Sequence, residues 1–355
     1  MAEILGIGLT HYPPLAGPDE NMVNVLRLTI NQPGFPDQFR SPQAWPPPMQ
    51  AEWGDDQGAS AARRDRQKLL EWFRRLRQEI DAFRPDFLLI WGDDQYENFR
   101  EDVIPAFCLL AYESHRVRPW SEERALRVLG GRNVWGEPPE QEFVYPGHRR
   151  AAKYLASALL EAGFEVAYAY QPLHHSLGHA FANTLLYLDY DRQGLSYPVV
   201  PVQVNSYGRQ VICQRGGIPD LSKPLAEDSL DPPSPPPWRC FDLGRVVARA
   251  LLASPWRAVL IASSSWSHAF LTAKNHWLHP DHEADRRLYD ALCQGRYEVW
   301  RDYPLSAIEE SGQQEVLNWV CLVGAMAELG RRPAASEFIP TWVLNSNKVF
   351  ALFPP

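Results

Sequence analysis

The chain has 355 residues, 45% hydrophobic and 22% charged, the balance of a soluble globular protein able to bury a large core. A formal net charge of -8 offers no basic excess to displace counterions, which excludes a phosphate-backbone binder and predicts no nucleic-acid partner. Apolar runs fall short of the ~20 residues that cross a bilayer, the opening Met-Ala-Glu-Ile-Leu-Gly-Ile-Gly lacks a signal peptide's basic region and long apolar core, and the five scattered cysteines (Cys108, Cys213, Cys240, Cys293, Cys321) form neither a zinc spacing nor a disulfide framework; the expectation is a cytoplasmic protein with no membrane partner.

In chain order, Ile4 to Leu9 reads as a first strand. Leu69, Phe73, Leu76, Ile80 and Phe83, three or four apart, predict an amphipathic helix that Pro85 stops. The Arg-rich stretches Arg63-Arg64-Asp65-Arg66 and Arg74-Arg75-Leu76-Arg77 lie on it and alternate with acids, as a solvated face does. Phe87 to Trp91 then reads as a buried strand. Arg149 to Glu161 looks helical with Gly163 as a cap, and Glu165 to Tyr170 is the next strand. Tyr197 to Val204 and Ala258 to Ala262 read as strands, with a helix at Leu243 to Ala253 between them. Helices near Glu283 to Cys293 and Gln314 to Leu329 precede a last strand near Val349 to Leu352. Strands regularly separated by helices predict a three-layer α/β/α sandwich around a mostly parallel or mixed sheet. Residues 1–355 are read as a single catalytic domain, with proline-rich loops inserted near 33–48 and 208–238.

Functional groups of open α/β sheets gather at the carboxyl ends of strands. That rule selects His11, then Asp93-Asp94-Gln95, then His174, His175 and His179, then the segment Ser263 to His268, with Glu315 at a helix start. Each has a bland alternative. A strand-end histidine is often a hydrogen-bonded structural residue, Glu315 could favour a helix dipole, and Asp93-Asp94 could cap a turn. Histidine and carboxylate with an amide or a second carboxylate suit Fe(II), Mn(II) or Zn(II). His276, His279 and His282 share a three-residue spacing, but Pro280 interrupts any helix that would align them, so a polar loop is the better reading. The serines before His268 lack a Gly-x-Ser-x-Gly elbow, which argues against a hydrolase.

These segments, in this order, resemble the class III extradiol ring-cleavage dioxygenase superfamily over nearly the whole chain. Gly8-Leu9-Thr10-His11-Tyr12-Pro13-Pro14-Leu15 is similar to that family's first metal-ligand segment, and Asp86 to Phe107 to its second. His174-His175-Ser176 resembles its active-site histidine segment, with His175 the best match, and Trp266-Ser267-His268 the segment of its acid/base. Glu310-Ser311-Gly312 with Glu315 and Trp319 resembles the glutamate-ligand helix, and Asn345-Ser346-Asn347 a substrate-contacting turn.

The resemblance implies an α/β enzyme that opens a catechol-like aromatic ring with O2 at a bound metal, Fe(II) first, with Mn(II) or Zn(II) as alternatives. It implies His268 as acid/base, His175 as a hydrogen-bonding catalytic group, and Ser346 and Asn347 as substrate contacts. Where the family has its second histidine ligand this chain has Gln95, so the implied ligands are His11, Gln95 and Glu315, unless Asp94 or Asp93 turns inward. The substitution also admits a rival: a non-catalytic member that keeps the pocket to bind a ligand or protein. The apolar fraction and 13 tryptophans are compatible with a homodimer.

Overall fold

A computed structural model describes residues 2–121, 128–211, 214–216, 218–223 and 225–355; Cys213 lies outside them. The main sheet has eight strands in the order β6-β3-β7-β2-β8-β1-β10-β9. They are β1 (Glu3–Leu9), β2 (Phe87–Asp93), β3 (Phe107–Leu110), β6 (Ala167–Ala169), β7 (Val199–Val204), β8 (Arg257–Ser263), β9 (Ala335–Ile339) and β10 (Lys348–Phe353). A hairpin of β4 (Ser114–Val117) and β5 (Phe143–Pro146) stands apart. The four central strands are mutually parallel, β2 with β7 and β8, and β8 with β1. β3 against β7, and β10 against both β1 and β9, are antiparallel, so the sheet is mixed.

Central strands buried on both faces need two cores, and successive side chains supply them. Phe87, Leu89 and Trp91 enter one core and Leu88 and Ile90 the other. The long helices are α1 (Ala59–Phe83), α2 (Arg149–Glu161), α3 (His179–Leu188), α4 (Pro237–Leu252), α5 (His282–Gln294) and α6 (Val316–Glu328). Leu155, Leu243, Leu288 and Leu317 place α2, α4, α5 and α6 over the first face. Leu69, Phe73 and Leu185 place α1 and α3 over the second. The result is the expected α/β layering.

The sequence omitted β3 and β9, the hairpin, and α3. The α1 arginines are also less uniformly solvated than the pattern implied. Arg74 pairs with Asp191 at 2.8 Å on the surface, whereas Arg66 reaches inward to Leu15 O at 2.7 Å and the Tyr190 hydroxyl at 3.0 Å. That inward reach tethers the loop that follows His11. Cys108, Cys240, Cys293 and Cys321 are free thiols. No helix among the described residues is long and apolar enough to cross a membrane.

Candidate metal centre

Because β1, β2, β7 and β8 run parallel, their carboxyl ends share one rim, and each delivers a polar group there. His11 follows β1, Asp93 ends β2, Tyr207 follows β7, and Ser263 ends β8. Two helix starts complete the ring: His179 opens α3, and Glu315 immediately precedes α6. His11, Asp93, His179 and Glu315 each turn one potential ligand atom inward, all within 4.8 Å of one another.

The hydrogen bonds behind these residues decide which atoms face the centre. Ser263 Oγ donates to Ala180 O at 2.9 Å, so toward His11 Nδ1, also at 2.9 Å, it is an acceptor. That assigns the ring proton of His11 to Nδ1 and leaves Nε2 bare. The bare nitrogen lies 3.4 Å from Glu315 Oε2 and 3.9 Å from Asp93 Oδ1. His179 is oriented likewise, its Nδ1 2.9 Å from Glu97 Oε2 and its backbone N–H donating to Glu97 Oε1 at 3.0 Å. A histidine anchored through one nitrogen presents the other with a fixed direction, the arrangement metal-binding histidines use.

Both carboxylates are buried, Asp93 at 0% and Glu315 at 2% exposure. Glu315 is the better satisfied. Burial alone pushes its carboxyl up; positive charge on His268 and His11 beside it, or a cation bound among them, would bring it well below the usual range, and the Tyr207 hydroxyl donates to it as well. Its Oε2 also accepts from Ser265 N at 3.0 Å. Asp93 goes the other way, pushed up to about 7 by burial and then by Glu315. Its Oδ1 takes only a long bond from Asn318 Nδ2 at 3.4 Å, and its Oδ2 has no partner among the described residues. A bare imidazole nitrogen facing two carboxylates, one with an orphaned oxygen, is a set of lone pairs that lacks a cation, and a divalent metal fits it.

His268 lies beside this ring, its Nε2 3.3 Å from Glu315 Oε1 and its Nδ1 buried without a partner among the described residues. Burial lowers its pKa, leaving it neutral near pH 7. The backbone fixes it from two sides: His268 N donates to Gly312 O at 2.8 Å, and the residue forms an antiparallel bridge with Ser346. Gly312 has φ +66°, and a Cβ there would fall 2.6 Å from the His268 carbonyl, so glycine is required at this approach.

The structure thus brings His11, Glu315 and His268 together. Gln95 is buried, at 5% exposure, and makes no side-chain hydrogen bond among the described residues. Asp94 faces its own turn, accepting from the backbone N–H groups of Glu97 (3.0 Å), Asn98 (2.8 Å) and Phe99 (3.3 Å). His175 lines a cavity of about 290 Å³ with Arg116, Arg118, Ser121, Glu142, His174 and Ser176. Ser346 Oγ is buried with no partner among the described residues, whereas Asn347 donates to Asp285 at 2.6 Å and accepts from Thr341 N at 3.1 Å. His276 stacks on Phe39 at 4.2 Å, and His279 and His282 pack on Trp342 at 4.7 and 4.2 Å, outside the ring. Sequence reasoning left His179 out of the ligand set, held Asp93 only as an alternative to Gln95, and missed Tyr207 altogether. Asp93 and Tyr207 lie at or just past strand ends and His179 at a helix start, but only the fold shows which of these residues point inward.

No family model matches the chain. It is similar to proteins named 2,3-dihydroxyphenylpropionate/2,3-dihydroxicinnamic acid 1,2-dioxygenase. The protein from Paraburkholderia phymatum is 28% identical over 302 residues, covering 78% of this chain and 87% of that protein. The one from Burkholderia vietnamiensis is 28% identical over 305 residues, 78% of this chain and 88% of that protein. The match to the Photorhabdus laumondii protein is shorter, 26% identity over 196 residues, 55% of this chain and 47% of that protein. A buried group able to hold a metal, set at the strand ends of an α/β sheet, therefore coincides with similarity to proteins named as dioxygenases.

Proposed function

We propose that this chain is a metal-dependent extradiol-type dioxygenase that opens the ring of a catechol-like substrate with O2, and that 2,3-dihydroxyphenylpropionate and its cinnamic analogue represent the substrate class. The observation that carries the reading is the bare Nε2 of His11 facing Glu315 and Asp93 beside a neutral, buried His268. His11, Asp93, His179 and Glu315 would hold the ion, with Fe(II) favoured and Mn(II) or Zn(II) as alternatives, and Gln95 is the neutral donor nearest in sequence. When bound, such an ion supplies dioxygen activation toward a chelated diol.

The remaining work falls to the chain. His268, with Nε2–H directed at Glu315, keeps a lone pair on Nδ1 that can take a hydroxyl proton and return it. The Tyr207 hydroxyl and Ser265 N–H hold Glu315 in its ionised form. His175 would hydrogen-bond the substrate from the loop that leads into His179. Ser346 is the residue of the 345–347 turn with an oxygen to offer a ring substituent, and Asn347 supports the turn from beneath through Asp285. Closely packed residues hold these groups in fixed orientation, so an encounter of diol and dioxygen here would be an oriented one.

The test is anaerobic reconstitution with Fe(II), followed by O2 uptake and product absorbance on 2,3-dihydroxyphenylpropionate. Turnover is expected, falling by about 10²–10⁴-fold in His268→Ala with metal content retained. Parallel titrations with Fe(II), Mn(II) and Zn(II) should lose binding in Glu315→Ala, and Gln95→His should tighten it if residue 95 reaches the ion. Absence of binding to all three metals would sink the dioxygenase reading.

A further inference from the structure

We propose that Asp285 is a positioning residue for this centre, a buried carboxylate that fixes the His268 loop, the approach to Glu315 and the Ser346 turn together. The proposal rests on the dioxygenase reading of the site. Asp285 lies in the first turn of α5 and is 0% exposed. Its Oδ1 accepts from Gln313 Nε2 at 2.6 Å, its Oδ2 from Asn347 Nδ2 at 2.6 Å, and both oxygens lie 3.2 Å from Ser267 N. Ser267 adjoins His268, Gln313 is two residues before Glu315, and Asn347 adjoins Ser346. Three distant stretches of chain, each bearing one site residue, therefore meet on one side chain.

Stability alone gives no reason for a charge here. No lysine or arginine pairs with Asp285 among the described residues, and burial pushes its carboxyl up to about 7 against the pull of its amide donors. A neutral side chain would cost less to bury. The donors explain the carboxylate. Asn347 Oδ1 accepts from Thr341 N at 3.1 Å, which fixes its NH2 toward residue 285, and Gln313 Oε1 accepts from the Tyr303 hydroxyl at 3.2 Å, which sets its NH2 the same way. An asparagine at 285 would set its own NH2 against one of them unless Gln313 turned over and the Tyr303 hydroxyl gave up its acceptor. Ser267 completes the brace, its hydroxyl donating to Ser311 O at 2.6 Å and accepting from Asp281 N at 2.6 Å.

The same geometry supplies its own rescue. In Asp285→Asn combined with Asn347→Asp, Oδ1 of the new asparagine still accepts from Gln313 and Ser267. Its NH2 then donates to the new aspartate, whose second oxygen can accept from Thr341 N. Asp285→Asn, Asn347→Asp and the double variant would be compared with the full-length wild type in three measurements: thermal midpoint, Mn(II) affinity by calorimetry, and kcat and KM on 2,3-dihydroxyphenylpropionate. Each single variant is expected to lose about 10-fold in Mn(II) affinity and in kcat, the scale of a disturbed supporting shell, with the double recovering to within about threefold. If Asp285→Asn folds too poorly to assay, Asn347→Asp against the double makes the same comparison. A lower thermal midpoint with unchanged Mn(II) affinity and kcat overturns the proposal, as does a double variant no better than its worse parent. Mn(II) binding with no turnover by the Fe(II)-loaded wild type would end the dioxygenase reading while the affinity series still judged Asp285. Absence of binding by the wild type to Mn(II), Fe(II) and Zn(II) alike would overturn both.

Discussion

Replacing Asp93 with asparagine is expected to stabilise the metal-free protein while weakening its hold on metal. Asp93 is buried, one of its oxygens has no partner among the described residues, and its carboxyl is pushed from an ordinary 3.8 up to about 7 by burial and by Glu315. An unfolded chain ionises this group near pH 4, whereas the folded one keeps the proton until about 7. Between those values the native state binds the extra proton, so stability falls as pH rises and then stays level above 7. At about 1.4 kcal/mol per pH unit, the full cost reaches about 4 kcal/mol. Asparagine has no charge to desolvate, and its NH2, turned toward His11 Nε2, would supply a donor there in exchange for the long bond from Asn318. Allowing for the residual cost of burying an amide, the gain at pH 8 is about 2–4 kcal/mol, or about 3–5 °C in thermal midpoint for a chain of this size. At pH 4 the gain should vanish. Thermal unfolding in chelator at both pH values measures the first effect, and Mn(II) calorimetry, expected to weaken at least about 10-fold, measures the second. A variant that melts below wild type at pH 8, or whose advantage is the same at pH 4 and 8, refutes the reasoning.

Two further outcomes concern the scaffold. In Gly244→Ala the new Cβ would stand 1.8 Å from the Cys321 carbonyl oxygen, where α4 and α6 touch through backbone, so the helices must part. A loss of about 3 kcal/mol is expected, read as a lower thermal midpoint, and an unchanged midpoint would show the contact to be looser than drawn. His115 is buried and held neutral down to about 4, so wild type should lose about 3 kcal/mol as pH falls from 6.5 to 4, while the unfolded chain takes up the proton. His115→Phe, which gives up the 3.3 Å contact with Val199 O, should flatten that acid limb, and an equally steep limb would clear His115 of the effect.

Apolar runs exposed the central strands because β1, β2, β7 and β8 are buried on both faces and bounded by polar residues. The rim of polar groups followed from their shared direction. The edges were harder to read. β3 is four residues long, and β9 is mostly half-buried with no alternation, so neither carries a distinctive period. Helix α3 was hidden for the opposite reason. Ala180 to Leu188 are buried all round, so no polar face marks the turn of the helix, and His179 read as one more loop histidine.

The remaining ambiguity, which member of Asp93-Asp94-Gln95 serves the centre, could not be resolved by composition or motif. Asp93 is the last residue of β2, paired with Val204, and the strand itself aims its carboxylate at His11. One residue later the chain has left the sheet, and Asp94 satisfies three backbone N–H groups that would otherwise be buried in the turn. The bland reading, a turn cap, thus describes Asp94, and the functional one, a ligand, is left open to Asp93. That division bears on Gln95 as well. If the centre draws on Asp93 and His179 beside His11 and Glu315, it keeps two imidazoles without a histidine at 95 and gains a carboxylate, making it harder than a centre with one acid. Such a donor set favours Fe(II) or Mn(II) over softer ions. A centre so built would need no ligand at 95, and a buried His268 beside Glu315 fits an enzyme better than an emptied pocket.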